Sequence, residues 1–236
     1  MGVMVGAKIR GKHMGVRENI EEVEHRIAAA CERSGRARAA VTLVAVTKTV
    51  PPALVRQAFD AGIRHFGENK VQEAQVKIAE VSLSLQPRPI WHMIGHLQTN
   101  KVKTAVEIFD IIQSIDSVKL AERVSERAGR KGYPVLLEVN VGGEASKGGF
   151  SVAEVRTAVE QVSRLSNLEV MGLMTVAPLA EDQQEVRPIF RQLRQLGEAL
   201  GLKHLSMGMT DDFEVAIEEG ATMVRIGRAI FGERRY

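Results

Sequence analysis

Eight short apolar runs, separated by stretches of helical periodicity, constrain the fold of this chain more than any other feature of its sequence. The runs lie at residues 41–47, 65–67, 90–94, 111–113, 135–141, 168–174, 204–207 and 223–226. The clearest of them, V-T-L-V-A-V and V-L-L-E-V-N-V, are rich in β-branched residues and almost continuously apolar. Strands of parallel sheets have this character because both of their faces are buried. The runs are therefore predicted to be parallel strands.

The stretches between the runs carry the spacing and the end signals of amphipathic helices. Residues 16–33 place apolar side chains at positions 20, 23, 27 and 30, and the pattern ends at Ser34-Gly35. Two later helices are predicted to begin with capping boxes, Ser151-x-x-Glu154 and Asp211-x-x-Glu214.

Strand–helix alternation repeated eight times predicts an α/β fold, a single (β/α)8 TIM barrel with an additional N-terminal helix. An open doubly wound sheet shows the same alternation. The count of eight and the lack of a Gly-x-Gly-x-x-Gly turn after the first run favour the barrel. We expect residues 1–15 to form a flexible N-terminal extension and residues 16–236 to form the barrel.

Composition excludes several classes of partner. Among 236 residues, 32 Lys and Arg against 29 Asp and Glu give a net charge of only +3. No long run of like charges is present, so a nucleic-acid partner is not predicted. The apolar runs are far shorter than the roughly 20 residues that span a bilayer, so a membrane partner is not predicted either. The single cysteine, Cys31, suits a reducing cytoplasm. We also expect the protein to be a monomer.

Lys48 stands directly after the first apolar run, where a barrel places its chemistry, at the carboxyl end of a strand. One interpretation is a lysine whose stem lies along apolar surface while its ammonium reaches water. The other is a Schiff-base lysine. An amine at the mouth of an apolar barrel loses hydration, which favours the neutral form that attacks an aldehyde.

The ends of the last two runs have the composition of a phosphate site. Residues 206–210, Ser-Met-Gly-Met-Thr, offer hydroxyls and a glycine ahead of a predicted helix, and residues 225–227, Arg-Ile-Gly, offer a guanidinium and a second glycine. Two ordinary loops, with Thr210 as a helix cap, remain an alternative. Asp211 and Asp212 compete with a phosphate for the same helix dipole, so at least one of them must point away. An early lysine for an aldehyde and a late phosphate site together suggest pyridoxal 5′-phosphate (PLP).

Three other polar or aromatic features are weaker. His92 and His96 are four apart on a strand-to-loop segment rather than on one helix face, so a metal site is not predicted. Trp91 is expected in the core. The polar loop after the fifth run, which contains Lys147, is expected to be a solvated lid, and the alternative is that Lys147 is a second amine near the mouth.

Seven motifs occur in the order that one known family shows. They are V-A-V-T-K at 44–48, F-G-E-N-K-V-Q-E at 66–73, W-H-M-I-G-H-L-Q-T-N-K at 91–101, S-K-G-G-F at 146–150, G-L-M-T at 172–175, S-M-G-M at 206–209 and V-R-I-G at 224–227. Together they resemble the pyridoxal phosphate homeostasis protein family, single-domain relatives of the N-terminal barrel of alanine racemase. The resemblance extends over residues 16–232.

The resemblance implies PLP as the cofactor and gives each matching residue a role. Lys48 would carry PLP as an internal aldimine. The residues expected around the phosphate are Ser206, Gly208, Thr210 and Gly227. Arg225 would lie beside the ring or the phosphate, and Asn69 and Met174 would line the ring pocket. Two positions depart from the family pattern: Thr210 replaces the usual serine and keeps its hydroxyl, and Lys70 replaces a tyrosine or arginine.

The first functional hypothesis is a PLP-binding protein that buffers or delivers the cofactor, with apo-PLP enzymes as partners, and without strong catalysis. Racemisation by two bases needs a second acid or base opposite the lysine, which related racemases take from a second domain. Here Tyr133 precedes the fifth run, at the wrong end of the barrel, and Tyr236 is the last residue. An Arg225 near the pyridine nitrogen would also weaken the ring as an electron sink. The alternatives are a weak PLP-dependent amino-acid racemase and, more remotely, an aldolase-like barrel that uses Lys48 on sugar phosphates.

Overall fold

The computed structural model describes residues 15–82, 85–144 and 148–233. The helices of this part are α1 (Val16–Arg33), α2 (Pro52–Asp60), α3 (Val71–Ser82), α4 (Val102–Ile108), α5 (Val118–Arg127), α6 (Val155–Ser163), α7 (Arg187–Ala199), α8 (Phe213–Glu218) and α9 (Arg228–Phe231). The strands are β1 (Thr42–Val46), β2 (His65–Glu68), β3 (Ile90–Met93), β4 (Ile111–Ile115), β5 (Tyr133–Asn140), β6 (Phe150–Ser151), β7 (Leu168–Met174), β8 (His204–Ser206) and β9 (Met223–Ile226).

The strands form a closed parallel barrel. Their order is β4-β3-β2-β1-β9-β8-β7-β5, and pairing of β4 with β5 closes the ring. The two-residue β6 pairs in parallel with Val139 and Asn140 at the carboxyl end of β5. Because the strands are parallel, all their carboxyl ends open at one mouth. The predicted single (β/α)8 barrel is confirmed.

Alternation along the strands separates an outer core from the barrel interior. Ile111 and Ile112 are neighbours on β4, so their side chains point to opposite faces. Ile112 joins the main core between strands and helices, together with residues such as Ala45. Ile111 joins a separate small cluster with Leu136 and Met174. This second cluster lies in the barrel interior.

The expected additional helix, α1, is present and packs across α8 and α9. It buries Ile20, Val23 and Ile27, and burial of side chains of this size contributes about 1.5–3 kcal/mol each. Arg26 reaches Glu214 of α8 at 2.7 Å. This pair is more than a third exposed on the arginine side, so packing rather than charge holds the helix.

Of the two predicted capping boxes, the structure contains one. The Ser151–Glu154 capping box is confirmed, with Glu154 Oε2 accepting from Ser151 N–H at 3.0 Å and Ser151 Oγ accepting from Glu154 N–H at 3.3 Å. The prediction of a capping box at Asp211-x-x-Glu214 is wrong. Asp212 Oδ1 instead accepts from Met209 N–H at 2.5 Å, because α8 begins two residues later than predicted.

Some expectations concern chain outside the described residues. They are residues 1–14 of the expected N-terminal extension, and the residues Lys147 and Tyr236. Within the described ranges, none of the helices is long and apolar enough to cross a membrane.

Gly172 of β7 allows the close approach of β8 and provides a test of the strand pairing. A Cβ atom at this position would lie 1.8 Å from the carbonyl oxygen of His204. Gly172→Ala should therefore lower the free energy of unfolding by about 3 kcal/mol, at the upper end of overpacking costs. Chemical denaturation followed by circular dichroism measures this loss.

Gly129→Ala is the matched control, because nothing lies within 4 Å of a Cβ at this position and its φ is not in the left-handed region. Its free energy of unfolding should stay within about 0.5 kcal/mol of the native value. Equal stability of the two variants would contradict the described β7–β8 pairing.

Candidate functional site

Lys48 lies at the mouth of the barrel and lines a pocket of about 670 Å³. Gly227, Arg228 and Phe231 form the facing wall from β9 and α9, and Leu54 of α2 adds apolar surface. This volume falls within the range of about 300–1,000 Å³ that is typical of small-molecule sites. Lys48 and Arg228 thus share one concave pocket, in which the Arg228 guanidinium is already paired with Asp211.

The turn that carries Lys48 is strained. Val50 N–H donates to Thr47 C=O at 2.9 Å and closes the turn. Thr49 has a φ of 62°, a left-handed value at which a β-branched residue costs about 1–3 kcal/mol. Such strain persists only where surrounding contacts impose it, so the position of Lys48 is set by its neighbours as well as by its own strand.

Asn69 lies at the next strand end. Val46 of β1 pairs with Gly67 of β2, so Lys48 and Asn69 leave neighbouring strands at the same level. Among the described residues, the buried Oδ1 of Asn69 has no hydrogen-bond partner. Gly95 permits this placement, because a Cβ there would lie 2.5 Å from the Asn69 carbonyl oxygen. An unpaired buried amide is costly, which fits a residue that contacts a ligand.

Arg225 is the charged centre of the barrel interior. Its guanidinium donates to Ser206 Oγ at 2.6 Å and to the Thr175 carbonyl at 2.8 Å. The backbone N–H of Arg225 donates to the Gly208 carbonyl at 3.0 Å. Met174, paired with Ser206 between β7 and β8, lies beside this group. The structure therefore brings together four of the residues that the resemblance assigns to the site.

The interior polar contacts continue across the barrel to three residues outside the predicted site: Gln113, His92 and His65. Ser206 Oγ contacts Gln113 Oε1 at 2.6 Å, Gln113 Nε2 contacts His92 Nδ1 at 2.8 Å, and His92 Nε2 contacts His65 Nδ1 at 2.9 Å. Because β4 and β8 are not neighbours in the sheet, the Gln113–Ser206 contact crosses the interior. The signal in the sequence is a glutamine inside the apolar strand I-I-Q-S-I.

Only one assignment of donors and acceptors along this chain of contacts gives every group a hydrogen-bond partner. An arginine can only donate, so the Ser206 hydroxyl accepts from Arg225 and donates to Gln113. The Gln113 amide then donates to His92 Nδ1, which leaves His92 Nε2–H to donate to His65. The Ser206 proton is thus committed to Gln113, and the phosphate contact that the resemblance implies for Ser206 stays a prediction.

Burial shifts the pKa values of the interior groups. Desolvation lowers the pKa of Arg225 to about 10, although Asp212 and Glu138 oppose the fall, so the guanidinium is charged at neutral pH. Burial raises the pKa of Glu138, and Asp116 raises it further. Burial also lowers the pKa of His92 to about 3, with a smaller contribution from His65. His92 is therefore a neutral imidazole.

The segment after β8 is shaped by Gly208. This glycine has a φ of 92°, and a Cβ there would lie 2.6 Å from Ala216 Cβ. The half-buried Thr210 follows on the same turn. Of the two competing carboxylates, exposed Asp211 points away and pairs with Arg228. Buried Asp212 accepts from Met209 N–H, which uses one of the backbone donors that a phosphate would need.

Within the described ranges, no group of three or more His, Cys, Asp or Glu is arranged to hold a metal ion. His92 is held by Gln113 and His65 in the interior, and His96 lies in the exposed loop, where Nδ1 meets Asp116 at 2.9 Å. Trp91 is fully buried, as expected for the core.

Comparison with known proteins identifies the family. The sequence model of the family described as alanine racemase, N-terminal domain, matches residues 19–235. The pyridoxal phosphate homeostasis protein of Aquifex aeolicus is 45% identical over 232 residues, covering 94% of this chain and 100% of the relative. That of Pseudomonas aeruginosa is 46% identical over 226 residues, covering 94% and 96%. This chain belongs to the pyridoxal phosphate homeostasis protein family.

Solved structures agree with this family assignment. PipY of Synechococcus elongatus, solved with PLP bound, is 38% identical, with a TM-score of 0.77 and coverage of 92% of this chain and 100% of PipY. Alanine racemase of Corynebacterium glutamicum, at 17% identity and a TM-score of 0.68, shows the fold alone and is covered over 62% of its length. The homeostasis family thus shares its barrel with larger racemase chains.

The depressed pKa of His92 makes stability depend on pH. The unfolded chain protonates this residue near pH 6.5, whereas the folded chain does so only near pH 3. Between these values the unfolded state holds more protons, so stability falls as pH falls, by up to about 1.4 kcal/mol per pH unit. Urea unfolding between pH 7 and pH 4 should show that native protein loses more stability than His92→Gln.

His25→Gln is the control, because His25 is exposed on α1. It should keep the native pH dependence. If His92→Gln has the same slope as this control, the buried neutral imidazole described above is contradicted.

Proposed function

We propose that this protein binds PLP at the mouth of the barrel and holds it covalently through Lys48. The observation that carries the proposal is the placement of Lys48 in a pocket with Gly227 and Arg228. In the attached state, the Lys48 amine nitrogen is bonded to the aldehyde carbon as a Schiff base and one water molecule is released. Bound PLP supplies a reactive aldehyde and an electron-withdrawing ring.

The residues around Lys48 fit the other parts of PLP. The unpaired amide oxygen of Asn69 is available to a polar substituent of the ring. Gly227 lines the pocket with bare backbone. A Cβ added at this position would lie 3.3 Å from the Val46 carbonyl oxygen. We assign the phosphate to backbone groups near Gly208, Thr210 and Gly227. Met174 and Arg225 are buried near the carboxyl ends of β7 and β9 and do not line the pocket that contains Lys48.

We infer that the protein buffers or delivers PLP and has no strong catalytic activity of its own. Arg225 stays charged in the barrel interior, on the strand that pairs with β1, and a charge there disfavours protonation of a nearby pyridine nitrogen. Tyr133 is the first residue of β5, at the end of the barrel opposite the mouth. Its hydroxyl donates to the Phe109 carbonyl at 2.6 Å, and burial raises its pKa, so it does not serve as a second base at the mouth.

The same proposal extends to location and partners. The protein acts in the cytoplasm as a monomer, and its macromolecular partners are apo-PLP enzymes that receive the cofactor. Analytical ultracentrifugation tests the monomer, and transfer of PLP from the loaded protein to an apo-enzyme tests delivery.

Replacement of Lys48 tests the covalent attachment. Native protein incubated with PLP should show a Schiff-base absorbance band, and borohydride should reduce it and leave the pyridoxyl group on the peptide that contains Lys48. Lys48→Ala should lose the band and the modification, because the nucleophilic amine is gone. Absorbance spectra and mass spectrometry measure both.

Lys103→Ala, which alters an exposed lysine of α4, should behave as native protein. An unchanged spectrum in Lys48→Ala would refute the proposal. Turnover of alanine or serine enantiomers that is lost in Lys48→Ala would support the racemase alternative instead.

Ligand binding should also raise thermal stability. PLP that binds only the folded state at 100 times its Kd adds about 2.7 kcal/mol, which corresponds to a Tm increase of about 5–10 °C for a chain of this size. Differential scanning fluorimetry measures the shift, and the increase should be smaller in Lys48→Ala. A Tm that does not respond to PLP contradicts binding at this site.

A further inference from the structure

A partly buried ion-pair cluster contacts the backbone on both sides of Lys48. Its centre is Lys77 of α3, whose side chain is 6% exposed. Lys77 Nζ donates to the Thr47 carbonyl at 2.5 Å, to Glu68 Oε1 at 2.6 Å and to Glu73 Oε1 at 2.9 Å. We name Lys77, Glu68 and Glu73 the Lys77 clamp.

The two carboxylates of the Lys77 clamp bind the residues that flank Lys48. Glu68 Oε1 accepts from Thr47 Oγ1 at 2.7 Å, and Glu73 Oε1 accepts from Thr49 N–H at 2.5 Å. Thr47 is therefore held by its carbonyl and its hydroxyl, and Thr49 by its backbone N–H. Lys48 is the residue between two anchored neighbours.

The clamp also accounts for the left-handed conformation of Thr49. A φ of 62° is unfavourable for a β-branched residue, so an external contact must hold it. The hydrogen bond from Thr49 N–H to Glu73 is such a contact, and Lys77 in turn holds Glu73 at i,i+4 spacing on α3. Without the clamp, the Val50 N–H bond to the Thr47 carbonyl remains, but Thr49 N–H loses its acceptor, so we expect the backbone at Lys48 to be held less firmly.

The pKa values of the two clamp carboxylates shift in opposite directions. Burial raises the pKa of Glu68, and Lys77 opposes the rise. Burial also acts to raise the pKa of Glu73, but the hydrogen bonds from Lys77 and Thr49 outweigh it, so the pKa of Glu73 is lowered. The ionised Glu73 is a strong acceptor for the backbone N–H of the strained residue.

We propose that Lys77, through Glu68 and Glu73, is a positioning residue that fixes the Lys48 turn for covalent capture of an aldehyde. The inference rests on the proposed function, since it assigns the clamp to the bond between Lys48 and PLP. It predicts that loss of the clamp slows formation of this bond and leaves binding of the rest of the ligand intact.

Two ligands separate positioning from general damage to the pocket. PLP reports capture of the aldehyde, and pyridoxine 5′-phosphate, which has an alcohol in place of the aldehyde, reports non-covalent binding alone. In Lys77→Met and Glu73→Ala, the rate of Schiff-base formation in stopped-flow absorbance should fall about tenfold or more. The Kd for pyridoxine 5′-phosphate, from calorimetry, should stay within about twofold of the native value.

Conservative and rescue variants sharpen the test. Glu73→Gln keeps an oxygen acceptor for Thr49 N–H and should retain more of the capture rate than Glu73→Ala. Thr49→Gly, added to Lys77→Met, should restore part of the rate, because glycine adopts a positive φ without steric cost.

Glu219→Gln is the matched control for loss of a buried ion pair. Glu219 is 6% exposed and binds Arg187 and Arg191 just after the C-terminal end of α8, at the end of the barrel opposite the mouth. It should lose stability but keep the native capture rate.

The outcomes are distinguishable. Native capture rates in Lys77→Met and Glu73→Ala overturn the inference, as does a loss of pyridoxine 5′-phosphate affinity that equals the loss of rate. A failure of Thr49→Gly to restore any rate overturns the part played by the strained turn. If native protein itself forms no Schiff base at Lys48, the proposed function fails first, and the inference fails with it.

Discussion

The buried guanidinium of Arg225 is the constraint on which the interior of this barrel depends. A charge removed from water is tolerated only when hydrogen bonds replace its hydration. Ser206 and the Thr175 carbonyl supply these bonds, and the need to satisfy Ser206 in turn requires Gln113 and a neutral His92. One charge near the mouth therefore sets the polarity of side chains that reach across the barrel.

Beside this buried charge, the mouth carries a second set of fixed contacts, around the end of β1, the strand that pairs with β9. Lys48 occupies a strained turn, and the Lys77 clamp anchors the residues before and after it. A reactive amine needs a defined direction, whereas a phosphate needs donors and close backbone approach. In the proposed function, ion pairs on β2 and α3 serve the first need and glycines after β8 and β9 serve the second. This division suits a protein that captures a ligand and holds it.

Much of the fold followed from sequence, because strand and helix periodicities are local. The positions of the eight barrel strands, the additional helix and the 151–154 capping box were predicted correctly, whereas the two-residue β6 was not predicted. The box at 211–214 was wrong, since Asp212 satisfies Met209 N–H and α8 begins later. The role of Lys77 was not predicted, although the sequence indicates it. Lys77 lies on the apolar face of α3, near Ala74 and Ile78, where a lysine requires a partner.

The sequence alone determined the alternation of strands and helices and hence which residues, Lys48 among them, stand at strand ends. It also carried the ordered motifs of the family. Only the tertiary structure decided which polar side chains meet, because closure of the barrel brings together residues that are far apart in the chain. Gln113 and Ser206 are 93 residues apart, and Lys77 reaches the Thr47 carbonyl over 30 residues. Such contacts depend on strand register and barrel closure, which local patterns do not encode.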